Sequence, residues 1–296
     1  MKKLLPQLSI LAAGILWGCI SLFINPLCDM GFSVVQISVI RQFISALLFG
    51  ILILITDPSR FRIRLKDIWI FICSGVVSVS LFGACYFYTI EQSQASVAVV
   101  LLYTSPIFVM IISAIAFKEK VTVQKLAALV LTFAGCVFCS GLIGNSYTVR
   151  ASVLLTGLAS GLFYALYTIF CNFGLRKYSS LTVTFWTFVF GFFGSLPFGR
   201  PESIIPVIAA QPRALIFCAG VGIINTFLPY LCYTWGLKYV EGSKAAIIVA
   251  AEVLVAAVIG MTVYSEPHNV IKIIGIFLIF ISVVLLNINI RGRKNS

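Results

Sequence analysis

Residues 95–117 read ASVAVVLLYTSPIFVMIISAIAF, without a single charged side chain. A helix needs about 20 mostly apolar residues to cross the hydrocarbon core of a bilayer, and this run is long enough. Cutting the rest of the chain at its charged and turn-rich segments gives ten such runs: 7–28, 33–55, 67–88, 95–117, 123–143, 151–173, 181–199, 213–237, 243–264 and 270–290. The connections are short. The longest, near 200–212, gathers Pro201, Pro206 and Pro212, and no gap could house a soluble domain. The first run is read as a retained span, since it is too long for a signal peptide and nine more follow. The expected fold is an all-α membrane protein with ten transmembrane helices.

Composition agrees with this reading. The chain has 296 residues, 60% hydrophobic and 10% charged, with a mean hydropathy of +1.09. Soluble domains are about 45–50% apolar and about 25% charged. A single water-soluble core of this size could not hide so much apolar surface, which excludes a soluble enzyme, a disulfide scaffold and a disordered tail. The net charge of +12 would suggest a nucleic-acid partner in a soluble protein, but here long apolar runs separate the basic residues, so no nucleic-acid surface is expected. The nine cysteines lie mostly inside apolar runs; Cys136 and Cys139 are a lone pair within one of them. They read as packed thiols, not as a metal site.

The basic residues alternate from loop to loop. Lys2, Lys3, Arg60, Arg62, Arg64, Lys66, Lys118, Lys120, Lys125, Arg176, Lys177, Lys238, Lys244, Arg291, Arg293 and Lys294 fall on one side, against Arg150, Arg200, Arg213 and Lys272 on the other. The positive-inside rule then puts both termini in the cytoplasm of a multi-pass cell-membrane protein. The one remaining basic residue, Arg41, sits inside a run.

A shift of 147 residues lays one half of the chain on the other. Cys85-Tyr86 falls on Cys232-Tyr233, Ser96-Val97-Ala98 on Ser243-Lys244-Ala245, Glu119 on Glu266, Lys125 on Lys272, and Trp17-Gly18 on Tyr164-Ala165. Near the start, a shift of 143 instead superposes Gly14-x-x-x-Gly18 on Gly157-x-x-x-Gly161, one helical turn away. Each half holds five runs, an odd number, so the second half inserts upside down. The expected organisation is two inverted five-helix repeats, 1–146 and 147–296. Inverted repeats are how many secondary transporters arrange two gates around a midplane site.

Residues 88–135, YTIEQSQASVAVVLLYTSPIFVMIISAIAFKEKVTVQKLAALVLTFAG, resemble the end of an EamA-type repeat. Small residues open its fourth helix, Pro106 lies within it, Glu119 closes it, and a fifth helix rich in small residues follows. Residues 233–280 resemble the matching end of a second repeat, and Trp17-Gly18 and Arg41 fit as well. Ala128, where the fifth helix often has Gly, and Val253, at the position matched by Pro106, depart from the pattern and bear on local helix geometry. The resemblance covers essentially the whole chain. It implies a ten-helix member of the drug/metabolite transporter superfamily, whose members export amino acids, nucleotide precursors, drugs and sugars.

Six residues are candidates for the substrate site. Glu252 lies near the middle of the ninth run, where a charge costs about 2.5–3.5 kcal/mol and so should face a cavity or a partner. It is a candidate for recognising an ammonium group and for proton coupling, because burial disfavours a charged carboxylate; a structural Glu between helices is the plainer alternative. Arg41 could grip a carboxylate or phosphate in a bidentate fork, pair with Glu91 or Asp29, or snorkel. Both charges on one cavity would suit a zwitterion such as an amino acid. Trp17, Tyr103 and Tyr164 lie at depth, where an amphipathic ring needs a polar partner and can line a cavity. Asn225, aligned with Ser78, is a candidate polar contact or a helix-to-helix hydrogen bond. Pro106 and Pro229 are candidate hinges.

The reading that follows is a secondary transporter of small metabolites by alternating access, an exporter of amino acids or related amphipathic compounds. Export of organic cations or drugs is the alternative, with an embedded enzyme or a channel further off. No HExxH and no P-loop is present, and the sole histidine, His268, falls in a loop, so no catalysis, metal or cofactor is expected. The expected partners are a small-molecule substrate and the lipid bilayer, with the chain a monomer or homodimer.

Overall fold

The computed structural model describes residues 4–93, 95–140, 150–265 and 270–287, and every regular element among them is helical. Glu266, His268 and the terminal basic residues fall outside the described residues. The first apolar stretch holds α1 (Leu5–Gly18) and α2 (Ser21–Asp29), and α3 (Val34–Thr56) is the second. The third combines α4 (Ile68–Ile72), a π-helical segment (Cys73–Leu81) and α5 (Phe82–Gln92). Next come α6 (Ala95–Leu102) with α7 (Ser105–Phe117), then α8 (Val123–Cys139). In the second half α9 (Ala151–Leu175) and α10 (Ser180–Gly199) are unbroken, and the short α11 (Ile204–Ala210) lies in the proline-rich connection. Then α12 (Ala214–Gly222), a π-helical segment (Ile223–Phe227) and α13 (Leu228–Leu237) form one stretch, α14 (Gly242–Val249) and α15 (Ala251–Thr262) another, and α16 (Val270–Asn287) ends the described chain.

Eight stretches are long and apolar enough to cross a membrane, while Val123–Cys139, Pro201–Ala210 and Val270–Leu286 are apolar but shorter. The protein is a multi-pass membrane protein. Eight of the ten apolar runs read from the sequence coincide with these long stretches, and the fifth and tenth coincide with two of the shorter helices. The 17 residues of α8 rise about 25 Å, a little under the thickness of the hydrocarbon core.

Helices start where the sequence supplies caps. Ser33 and Gln36 form a reciprocal capping box at α3, and Thr122 and Ser179 each accept a backbone N–H at the starts of α8 and α10. Tight connections reverse the chain between neighbours, giving a basic face and an opposite face. On the basic face Lys177 and Tyr178 meet the buried Asp67, and Thr182 donates to the Arg60 carbonyl at 2.9 Å. On the opposite face Gln36 Nε2 donates to Ser203 Oγ at 2.6 Å, and the Tyr264 hydroxyl donates to the Ser21 carbonyl at 2.9 Å. Inside the bundle short hydroxyl bonds tie elements together: Ser74 with Thr187 at 2.7 Å, Ser80 to the Gly191 carbonyl at 2.8 Å, and Thr132 to Ser282 at 2.8 Å. Such contacts substitute for the hydrophobic drive that lipid cannot provide between helices.

Three apolar stretches are interrupted at mid-depth: at Cys19–Ile20, at Tyr103–Thr104 and at Ala250. The second break has a local cause. Pro106 lacks an N–H and disfavours helical geometry before it, so it sits in the first turn of α7. Pro229 likewise opens α13, directly after the π-helical segment.

The breaks are packed by glycines. A Cβ on Gly14 would stand 2.8 Å from the Val249 carbonyl oxygen, and one on Gly161 would stand 2.6 Å from Thr104 Oγ1, 2.9 Å from the Leu101 carbonyl oxygen and 3.2 Å from that of Leu102. Residues 14 and 161 differ by the same 147 positions as residues 102 and 249. The Val249 and Leu102 contacts match the 147-residue register, in which Gly14 corresponds to Gly161.

Candidate functional site

The interruptions converge on a half-open cavity of about 250 Å³ in the half of the bundle toward the opposite face. Each break delivers a lining residue. The first leaves Trp17, Gly18 and Ile20 at the wall, the second Leu102 and Tyr103, the third Glu252 in the first turn of α15. An acidic side chain there is favoured by the positive end of the helix dipole. Arg41 enters from α3, Phe82 and Tyr86 from α5, Tyr164 from α9 and Tyr230 from α13.

Glu252 is the polar centre. Its Oε1 accepts a hydrogen bond from the Tyr103 hydroxyl at 2.7 Å and a longer one from Tyr164 at 3.4 Å. No such bond reaches Oε2 among the described residues. Arg41 is the second charge. Among the described residues it forms no ion pair, neither with Glu91 nor with Asp29, and its Nε is buried without a hydrogen-bond partner. A buried donor left unsatisfied is costly, so a guest presenting an anionic oxygen would gain from it. Trp17 packs edge-on against Tyr230, 5.0 Å between ring centres, and Phe82 leans on Tyr164 at 5.3 Å. The cavity thus offers one acceptor and one donor set into aromatic walls.

Of the six sequence candidates, Trp17, Arg41, Tyr103, Tyr164 and Glu252 line this one cavity. Asn225 does not. It is fully buried in the second π-helical segment, where its Nδ2 donates to the Leu16 carbonyl and its Oδ1 has no partner. That is the helix-to-helix role. The sequence carries no signal for Phe82 or for the helix break at Ala250. Phe82 belongs to an apolar run that gives no hint of which face turns inward, and Ala250 has no proline or glycine beside it.

A second, enclosed cavity of about 20 Å³ lies toward the basic face and shares Trp17, Phe82, Tyr164 and Tyr230 with the first. It is bounded by Tyr233, which hydrogen-bonds Thr168 at 2.7 Å, and by Tyr167, which hydrogen-bonds Thr234 at 3.1 Å. Beyond it the carboxylate of Glu119 holds the start of α14, accepting from Gly242 N at 2.9 Å, from Ser243 N at 3.2 Å and from Ser243 Oγ. The buried Lys125 stands 3.8 Å from Glu119, pairs with Glu241 and donates to the Lys120 carbonyl at 3.0 Å. Past this lock an open cleft of about 320 Å³ faces the basic side, with Arg176, Lys238 and Asn172 in its wall.

The model of the EamA-like transporter family matches residues 4–141 and again residues 151–288. The chain belongs to the EamA-like transporter family. Its relatives include an uncharacterized transporter of Archaeoglobus fulgidus, 25% identical over 287 residues and covering 94% of this chain and 95% of the relative. The uncharacterized inner membrane transporter YicL of Salmonella typhimurium is 26% identical over 301 residues, 98% of this chain and 97% of its own. A solved crystal structure with 14% sequence identity superposes with a TM-score of 0.79 over 95% of both chains, which bears on the fold alone. The two EamA matches meet between residues 141 and 151, between α8 and α9. Membership makes this a membrane transporter.

Proposed function

We propose that this protein is a secondary active transporter that exports amino acids or related small amphipathic compounds by alternating access. The observation that carries the reading is the pairing of Arg41 and Glu252 on one aromatic-walled cavity, each with bonding capacity to spare. A zwitterion would satisfy both at once, its carboxylate on Arg41 and its ammonium on Glu252, while its side chain lies against Trp17, Tyr86 and Tyr230. In this reading ten helices cross the bilayer as two inverted repeats of five, α8 and α16 included, and the basic face is cytoplasmic with both termini. The large cavity then opens away from the cytoplasm, and the Glu119 lock closes the cytoplasmic side. Glu252 serves two guests in turn. A proton and a substrate ammonium compete for the same carboxylate, so release of one permits binding of the other, which is the logic of exchange.

The test begins with thermal unfolding of the purified protein against amino acids, amines and organic cations, since a ligand selective for the native state raises its apparent stability. Stabilisation by zwitterions that is lost in Glu252→Gln and in Arg41→Gln supports the reading. Stabilisation by cations alone, insensitive to Arg41→Gln, would move the assignment to organic-cation export.

A further inference from the structure

The 147-residue shift relates more than sequence. Applied to the large cavity, it carries Tyr86 to Tyr233, Val99 to Ala246, Leu102 to Val249 and Ala256 back to Val109, and it exchanges Trp17 with Tyr164. With Ile20 carried to Tyr167 and Glu252 to Ser105, eight of the fourteen residues lining the large cavity map onto the lining of the small one, while Gly18, Arg41, Phe82, Tyr103, Tyr230 and Val253 map outside it. The two cavities are therefore partial counterparts, one expanded and one collapsed, which meet at the shared rings of Trp17 and Tyr164. The charges do not follow. Glu252 maps to Ser105, which lines the small cavity, and Arg41 maps to Phe188, which is fully buried in the core. What the collapsed cavity offers is hydroxyl groups: Ser78, Ser105, Thr168, Tyr167 and Tyr233.

We propose that the enclosed cavity is a second substrate subsite, formed when the basic face opens, that holds the substrate by neutral hydroxyls and aromatic rings without an ion pair. This inference rests on the exchange reading above and extends it by naming a different chemistry for each side. A zwitterion loses both charge-assisted contacts as it passes from one subsite to the other. Hydrogen bonds to charged groups are about twice as strong as neutral ones, so the basic-face subsite binds more weakly than the large cavity. The route to it runs through the cleft beside Arg176 and Lys238, and the lock of Glu119 on Gly242 and Ser243 separates that cleft from it. The Thr168–Tyr233 and Tyr167–Thr234 bonds are the remaining closure.

Val109 and Ala256 test this as a matched pair, since each lines its own cavity at the corresponding position. Full-length Val109→Cys and Ala256→Cys variants in sealed vesicles of each orientation are treated with membrane-impermeant cationic and anionic methanethiosulfonates. Modification is read peptide by peptide by mass spectrometry, so that native cysteines serve as internal controls. Ala256→Cys is expected to react from the opposite face and Val109→Cys from the basic face. Adding Glu119→Ala removes a carboxylate cap and should raise the Val109→Cys rate roughly five- to thirtyfold while slowing Ala256→Cys. Adding Glu252→Gln should change the ratio of cationic to anionic reagent rates at Ala256→Cys and leave that ratio at Val109→Cys unchanged.

Reaction of both cysteines from the same face, or a Val109→Cys that stays unreactive from the basic face even with Glu119→Ala, overturns the proposal. An equal change of reagent ratio at both sites overturns the uncharged subsite. These failures leave the large cavity standing as long as Ala256→Cys reacts from the opposite face. If Ala256→Cys is itself unreactive there, the substrate-site reading fails first.

Discussion

The Tyr103 hydroxyl, from the first half of the chain, donates a 2.7 Å hydrogen bond to Glu252 Oε1 in the second half. Both residues stand beside a helix break, and the breaks are 147 residues apart in the repeat. A change in either break therefore moves the donor relative to the acceptor. Tyr103→Phe removes a bond to a charged group worth about 1.5–3 kcal/mol. Transport into proteoliposomes should fall by roughly tenfold or more and its pH profile should shift. Tyr164→Phe should have a smaller effect, because its contact is 3.4 Å long. Equal losses in the two variants would show that the hydrogen-bond lengths do not rank the donors.

Glu252→Gln keeps the shape of the side chain and one acceptor oxygen, but replaces the other with an NH2 donor and removes its titration. Substrate-driven exchange should be abolished, or should lose its pH dependence, with the unfolding temperature retained. Uptake across a series of internal and external pH values measures this, and unchanged kinetics at every pH would remove Glu252 from coupling.

Two glycines should respond to substitution for different reasons. Gly14→Val forces a side chain toward the Val249 carbonyl, where even a Cβ would lie at 2.8 Å. Overpacking of this kind costs about 1–3 kcal/mol and should lower the unfolding temperature in detergent and disturb the cavity. A Cβ on Gly31 would meet nothing within 4 Å, but the residue adopts φ +94°, so Gly31→Ala should lose about 1 kcal/mol to backbone strain and leave binding intact. A Gly14 variant as stable as the parent would mean that α1 and α14 can move apart without loss.

On the basic face, Lys125 is buried and its partner Glu241 is half exposed. Lys125→Met strands the carboxylate of Glu119 beside the start of α14 and should destabilise by about 3 kcal/mol. Glu241→Gln should cost less than about 1 kcal/mol, because water screens that side of the pair. Chemical unfolding of both variants compares them directly, and a milder effect for Lys125→Met would reverse the ranking.

Orientation has its own measurement. Reporters fused at the N-terminus and at the C-terminus should both read as cytoplasmic. A periplasmic reading at the C-terminus alone would remove one of the ten spans and with it the inverted pairing of the halves.

What the chain could say by itself was set by the solvent it must face. Uncharged runs such as residues 95–117 can only be lipid-crossing helices, so helix existence, the bias of basic residues to alternate loops and the two-repeat pattern were legible without coordinates. The out-of-place charges Arg41 and Glu252 were legible for the same reason, because an apolar background makes a charge conspicuous. The tertiary structure alone decided how these parts meet. In a bilayer an apolar residue facing lipid and one facing a cavity have the same composition, so Phe82 could not be distinguished from its neighbours, and Asn225 turned out to bond a backbone carbonyl. Helix breaks follow local rules only where a proline enforces them, as at Pro106. At Ala250 no proline or glycine stands beside the break, where the Val249 backbone packs against Gly14, and neither that break nor the convergence of Arg41 and Glu252 on one cavity is written in any single segment.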